Sequence, residues 1–178
     1  EFEWKDFIDC NNNELVANIG NFINRSLSFV NSKFNNQIPQ GQLDSEVKDS
    51  IENTFVQVGK HLEDCEFVKA TETILKLGNF ANKYFNDKAP WVSFNENIQD
   101  SQNTIYNSLQ LVNALRILLK PFIPQSMATL TTMLNLEEYD PNIELSKAGK
   151  VSKSENNWTF IPLKVGHMLN EPKILSIK

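Results

Sequence analysis

"SEVKDSIENTFVQVGKHL", residues 45–62, decides the fold. Its apolar residues Val47, Ile51, Phe55, Val58 and Leu62 recur at spacings of four, four, three and four. A helix with 3.6 residues per turn puts all five on one side, whereas a strand would need an alternation of two. The intervening Glu, Lys, Asp and Asn residues then fall on the opposite, solvated side. Asp44, directly before, is the residue type that caps a helix N-terminus.

The same period extends in both directions. Leu15, Ile19, Phe22, Ile23, Phe29 and Val30 predict one helix from Glu14 to Phe34, with Trp4, Phe7 and Ile8 suggesting an earlier turn or two. "NNQIPQGQ" breaks the chain at Pro39 and Gly41. Phe67, Ala70, Ile74, Leu77, Ala81 and Phe85 predict a third helix, which must stop before Pro90 because a proline disfavours the α conformation at the residue before it. Asp100 or Ser101 can cap a fourth helix through Ile105, Leu109, Val112, Leu115 and Leu119. After "KPFIP", Pro124 opens a short fifth helix through Met133. Short connections make neighbouring helices antiparallel. Beyond Leu136 the chain turns polar, then carries short β-prone runs interrupted by Pro162, Gly166 and Pro172. The expectation is an all-α antiparallel helix bundle over 1–136, with an irregular C-terminal extension over 137–178 containing short extended segments.

Composition narrows the function. Of 178 residues, 40% are hydrophobic and 22% charged, ordinary for a water-soluble domain, and no apolar run is long enough for a membrane span. The net charge of −5 argues against a general nucleic-acid binder but leaves room for a local contact. Arginine is scarce: only Arg25 and Arg116 stand among 17 basic residues. Cys10 and Cys65 lack metal spacing and read as reduced thiols of a cytosolic protein. His61 and His167 stand alone and read as hydrogen-bonded structural residues. No phosphate loop, dinucleotide fingerprint, zinc motif or nucleophile elbow occurs, and no carboxylate pair proposes acid–base chemistry. "NRS" at 24–26 and "NWT" at 157–159 match the glycosylation pattern by chance. Glu1 opens in mid-pattern without an initiating Met, which reads as a piece of a longer protein.

Two features invite a binding role. Asn21 and Arg25 are four apart, on one helical face bordering the apolar arc. An amide and a guanidinium at fixed spacing can read the edge of an unpaired base; equally, Asn21 can cap a backbone group and Arg25 pair with a carboxylate. Trp91 follows Pro90 at a helix end, as either a core anchor or a ring held out for stacking.

"NNNELVANIGNFINR" (11–25), "NKYFNDKAPW" (82–91) and "LLKPFIP" (118–124), with "FEWKDFI" before and "GHMLNEPKILSIK" after, resemble the C-terminal anticodon-binding domain of the methionyl-tRNA synthetases. The resemblance covers nearly the whole chain in order. It implies a helix bundle that reads the CAU anticodon of tRNA(Met). Asn21 and Arg25 would hydrogen-bond near the first anticodon base, a cytosine, and Trp91 would stack on it. Ala17 departs from the asparagine many relatives carry one turn before Asn21. The resemblance also implies a methionine–tRNA ligase whose catalysis, with ATP, sits in a separate catalytic domain, so that this stretch holds no cofactor or metal. It places the protein in the cytoplasm, with no membrane and with room for synthetase-complex partners. The segment around Ile174 is expected to pack partly on the catalytic domain. "KVSKS" (150–154) resembles the ATP-stabilising KMSKS loop of class I synthetases, but that loop works only beside a nucleotide-binding α/β domain, so a solvated lysine–serine loop is the reading. Two other classes stay open: the anticodon domain of a valine, isoleucine, leucine or cysteine enzyme, and a non-enzymatic helical interaction module.

Overall fold

The structure is a computed structural model describing residues 15–136 and 160–175. It is helical throughout the bundle, as the period demands. A π-helix, Leu15–Gly20, leads into α1 (Asn21–Phe34); then follow α2 (Ser45–Glu63), α3 (Phe67–Lys88), α4 (Pro90–Glu96), α5 (Ile98–Leu119) and α6 (Pro124–Met133). The readings of residues 1–14, KVSKS, NWT and Trp158 lie outside the described residues.

Helix directions follow from side-chain pairs. Tyr84, near the end of α3, donates to Asp44 at the start of α2, so these two run antiparallel. Asn18 bonds Asn79, and Arg25 bonds Asn86, so α1 and α3 run parallel. Phe22 and Phe85 seal that contact edge to face, at 6.0 Å and 84°. Such a pair adds ~0.5–1.5 kcal/mol beyond its burial.

At the centre lies α5. Leu109, Leu111, Val112, Ala114, Leu115 and Leu118 are all fully buried, which needs neighbours on every side. The polar residues Asn107, Gln110 and Asn113 on α5 are buried too. Asn107 accepts from the backbone N–H of Asp44 at 2.8 Å and donates to the carbonyl of Gln42 at 2.8 Å. Gln110 does the same for Leu163, donating to its carbonyl at 3.0 Å and accepting from its N–H at 2.7 Å. Asn113 donates to the carbonyl of Ile161, and on α1 Asn24 pairs with both backbone groups of Leu175. Residues 160–175 are therefore strapped to the bundle by amides rather than laid into a sheet. An isolated antiparallel bridge, Gln37 to Met168, is the one β feature among the described residues.

Four expectations are corrected. The helix over 14–34 is not uniformly α, because its first residues, 15–20, form a π-helix. Near that junction Asn82 donates to the carbonyl of Asn18 at 2.6 Å. Here α3 also comes close: a Cβ on Gly78 would lie 2.5 Å from Ile19 Cγ1. Second, Asp44 stands at the N-cap position, but its carboxylate bonds Tyr84 and Asn103 instead of the first turn of α2. Burial and that hydrogen bond push the Tyr84 phenol well above its ordinary pKa. Third, α5 is capped by Asn97, which accepts from Gln99 N–H and holds Asp100 with its amide, so neither Asp100 nor Ser101 is the cap. Fourth, Phe67, read as part of the apolar face, is 55% exposed in the first turn of α3.

Both histidines are bonded: His61 Nδ1 to Glu66 at 2.9 Å, and His167 Nε2 to the carbonyl of Leu134 at 2.8 Å. No described helix is long and apolar enough to cross a membrane.

Replacing Gln110 with Leu should orphan two buried backbone groups at about 1–3 kcal/mol each. Hydrogen exchange should then show the Leu163 amide losing protection while the α5 amides keep theirs. Conversely, the Ser26 hydroxyl is buried with no partner among the described residues. Ser26→Ala should raise stability by ~1 kcal/mol, read as a melting temperature about 2–4 °C higher.

Candidate nucleic-acid interface

The placement of the candidate residues depends on how α3 ends. Ala89 takes a left-handed conformation, φ 39°, and this single residue ends α3. Pro90 then serves as the first residue of α4, where its missing N–H does no harm. Trp91, read from the sequence as sitting at a helix end, is thus on a short helix of its own. Ser101 on α5 donates to the carbonyl of Pro90 at 2.9 Å and pins that corner.

Trp91 is 44% exposed. Its ring sits 5.8 Å from that of Phe85, which is buried, at 51°. It is both: half its surface packs and half faces solvent. The Arg25 guanidinium carbon lies 5.5 Å from the Trp91 ring centroid and 4.9 Å from that of Phe85. A cation over an exposed ring is worth ~0.5–1 kcal/mol and steers the guanidinium plane. Arg25 Nη1 donates to Asn86 Oδ1 at 3.0 Å. That acceptor is neutral, and no described carboxylate pairs with Arg25, so orientation comes without loss of charge.

Arg25, Ser28, Phe29 and Ser32 follow at helical spacing on α1 and, with Phe85 and Trp91, line a shallow depression of about 280 Å³. Of the three residues singled out in the sequence, Arg25 and Trp91 meet there although 66 positions separate them. Asn21 is exposed one turn earlier on the same face, outside the depression, and its side chain makes no hydrogen bond to another described residue. Ser28, Ser32 and Asn86 were missed. The serines carry a signal, since they continue the stripe from Arg25 by three and seven; Asn86 carries none, because its partner is on another helix.

The depression has a flat aromatic wall, an oriented cation and hydroxyls, and among the described residues no group of His, Cys, Asp or Glu could hold a metal. This suits a planar, hydrogen-bonding ligand.

Comparison with known proteins gives the family. The family model described as the anticodon-binding domain of methionyl tRNA ligase matches residues 36–175, which include Trp91 and begin after Arg25. A methionine–tRNA ligase of Alkaliphilus oremlandii is 37% identical over 160 residues, covering 90% of this chain and 29% of that protein. The Pyrococcus abyssi ligase is 35% identical over 179 residues, covering 98% of this chain and 23% of that protein. The chain thus spans less than a third of these relatives. In fold, it is similar to the Mycobacterium tuberculosis methionyl-tRNA synthetase solved with methionyl-adenylate, with a TM-score of 0.70 at 21% identity, over 98% of this chain and 33% of that one. This chain belongs to the anticodon-binding domain family of the methionyl-tRNA ligases.

Proposed function

We propose that this chain is the part of a cytoplasmic methionine–tRNA ligase that reads the CAU anticodon of tRNA(Met), while a catalytic domain elsewhere in the protein joins methionine to the tRNA with ATP. The observation that supports it is the meeting of Arg25 and Trp91 in one solvent-facing depression. An unpaired cytosine stacks on the exposed part of the Trp91 ring. Its edge offers the O2 and N3 acceptors, which match a guanidinium that only donates. Uracil carries a proton at N3 and meets the same donors with a donor, so the first position is selective. Asn21, one turn away with a free amide, can both donate and accept toward the same base or its neighbour. The C-terminal segment fits a domain that docks: Leu175 is buried and clamped by Asn24, while adjacent Ile174 is 90% exposed and is the residue we assign to the catalytic-domain contact.

In the full-length protein, Trp91→Ala should weaken tRNA binding by ~1–3 kcal/mol, the range for one base–aromatic stack. Trp91→Phe should keep part of that energy. Adenylate formation from methionine and ATP should be unchanged. Because Trp91 is half exposed, its truncation should lower folding stability by less than the ~3–5 kcal/mol of a fully buried aromatic. Calorimetry and tRNA charging on the same variant decide the matter: a large fall in melting temperature without an anticodon-dependent loss refutes the stacking role.

Arg25→Ala should reduce discrimination against other first anticodon bases by ~1–3 kcal/mol and leave the salt dependence of binding unchanged. A uniform weakening on every anticodon, with the logarithmic salt slope falling by about 1, would instead place Arg25 on a phosphate.

A further inference from the structure

Asn21 and Arg25 stand at the start of α1, and that start is not a fresh one. The helix continues from the π-helix Leu15–Gly20 with no side-chain cap at Gly20, so the direction of its first residues depends on the turn before it. A π-helix is rare and bonds i to i+5, one residue further than an α-helix. Asn82 on α3 holds this turn. Its amide donates to two helices at once: to the carbonyl of Asn18 in the π-helix at 2.6 Å, and to the carbonyl of Gly78 on α3 at 3.3 Å. Asn18 returns the contact through its own amide, which donates to Asn79 Oδ1 at 3.2 Å. Asn79, Asn82 and Asn86 are spaced by three and four, so they share one face of α3, and the last of them accepts from Arg25.

These amides are not what holds the two helices together. Ile19, Phe22 and Phe85 are buried between them and supply that contact. Asn79 and Asn86 are exposed and Asn82 is half-buried, and a hydrogen bond of this kind adds only ~0.5–1.5 kcal/mol. Their larger effect is on direction. A π turn that relaxes to α shifts its bonded partners by one residue, which is ~100° of rotation about the helix axis. Ile19 beside Gly78 and Phe22 against Phe85 cannot then both keep their places, and Asn21 stands between them.

We propose that Asn82 is a positioning residue of the interface: its hydrogen bond to the carbonyl of Asn18 keeps the π-helix in place and so fixes the side of α1 from which Asn21 and Arg25 meet a base on Trp91. The proposal rests on the reading of the Trp91 depression as the anticodon interface. Asn82 touches no RNA and acts through the two α1 residues. An asparagine suits the task, because its amide offers two donors and adds no charge.

The test uses the full-length protein and anticodon stem-loop RNAs with cytosine or uracil at the first anticodon position, binding being followed by fluorescence anisotropy. Asn82→Leu keeps the size of the side chain and removes both donors. It should lose about tenfold of the preference for cytosine, with a melting temperature within a few degrees of wild type. In an Asn21→Ala, Arg25→Ala background, Asn82→Leu should change nothing further, because the residues it aims are gone. Should Asn82→Leu fail to fold, Asn82→Ala removes the same donors without adding bulk and is read by the same criteria. An Asn82 variant as selective as wild type overturns the proposal. So does an equal loss on both RNAs, or a loss of the same size in the Asn21→Ala, Arg25→Ala background, since either makes Asn82 a residue of the fold alone. A wild-type protein indifferent to the first base overturns the anticodon reading as well, whereas a selective wild type with selective Asn82 variants overturns this proposal only.

Discussion

The bundle depends on one device: side-chain amides that satisfy the backbone of segments without secondary structure. Residues 36–44 and 160–175 lie against the helices with little secondary structure of their own, and a buried peptide group without a partner is expensive. Central α5 answers with Asn103, Asn107, Gln110 and Asn113, each bonded to a backbone group of one of these two segments. An amide presents a donor and an acceptor at nearly the spacing of a peptide, so Gln110 stands in for a neighbouring strand at Leu163. This lets a helix, which has no free ladder of its own, hold an extended chain.

The candidate surface is a second use of the packing between α1 and α3. Their parallel contact is cemented by Phe22 on Phe85, and the outer side of the Phe85 ring supports both Arg25 and Trp91. Core and interface therefore share one aromatic ring. The chain is acidic overall, yet the cation at this point is left un-neutralised because its partner, Asn86, is an amide. Lys83, one turn earlier, takes up Asp87, the nearest carboxylate on that helix.

What could be read from sequence was whatever repeats locally. Val47, Ile51, Phe55 and Val58 are all buried, and their period gave α2 almost to the residue. Pro90 marked the end of α3 correctly. It also hid α4, since a proline that stops one helix can begin the next, and only the left-handed turn at Ala89 reconciles the two. The amides were the larger omission. Asn107 and Gln110 on an otherwise apolar helix look like breaks in the pattern, because their partners lie 65 and 53 residues away and carry no side-chain signature at all. Asp44 misled for a related reason: the carboxylate suited to a cap found Tyr84 and Asn103, contacts that exist only once α2, α3 and α5 have met. Arg25 and Trp91 could be singled out as candidates from the sequence; that they lie together could not, because nothing local in either segment encodes the distance between helices.

The joint at Ala89 has a consequence for the speed of the proposed recognition. One residue in a left-handed turn, followed by a proline with its φ locked near −65°, leaves the tryptophan almost no backbone torsion to relax. Fixing a mobile residue takes ~1–2 kcal/mol of conformational entropy, and here that ordering is complete before any ligand arrives. The backbone that carries the ring is held between the end of α3 and the start of α4. In the proposed role, capture of a base requires no backbone rearrangement on the protein side, and the encounter is limited by how often the RNA loop turns a base outward.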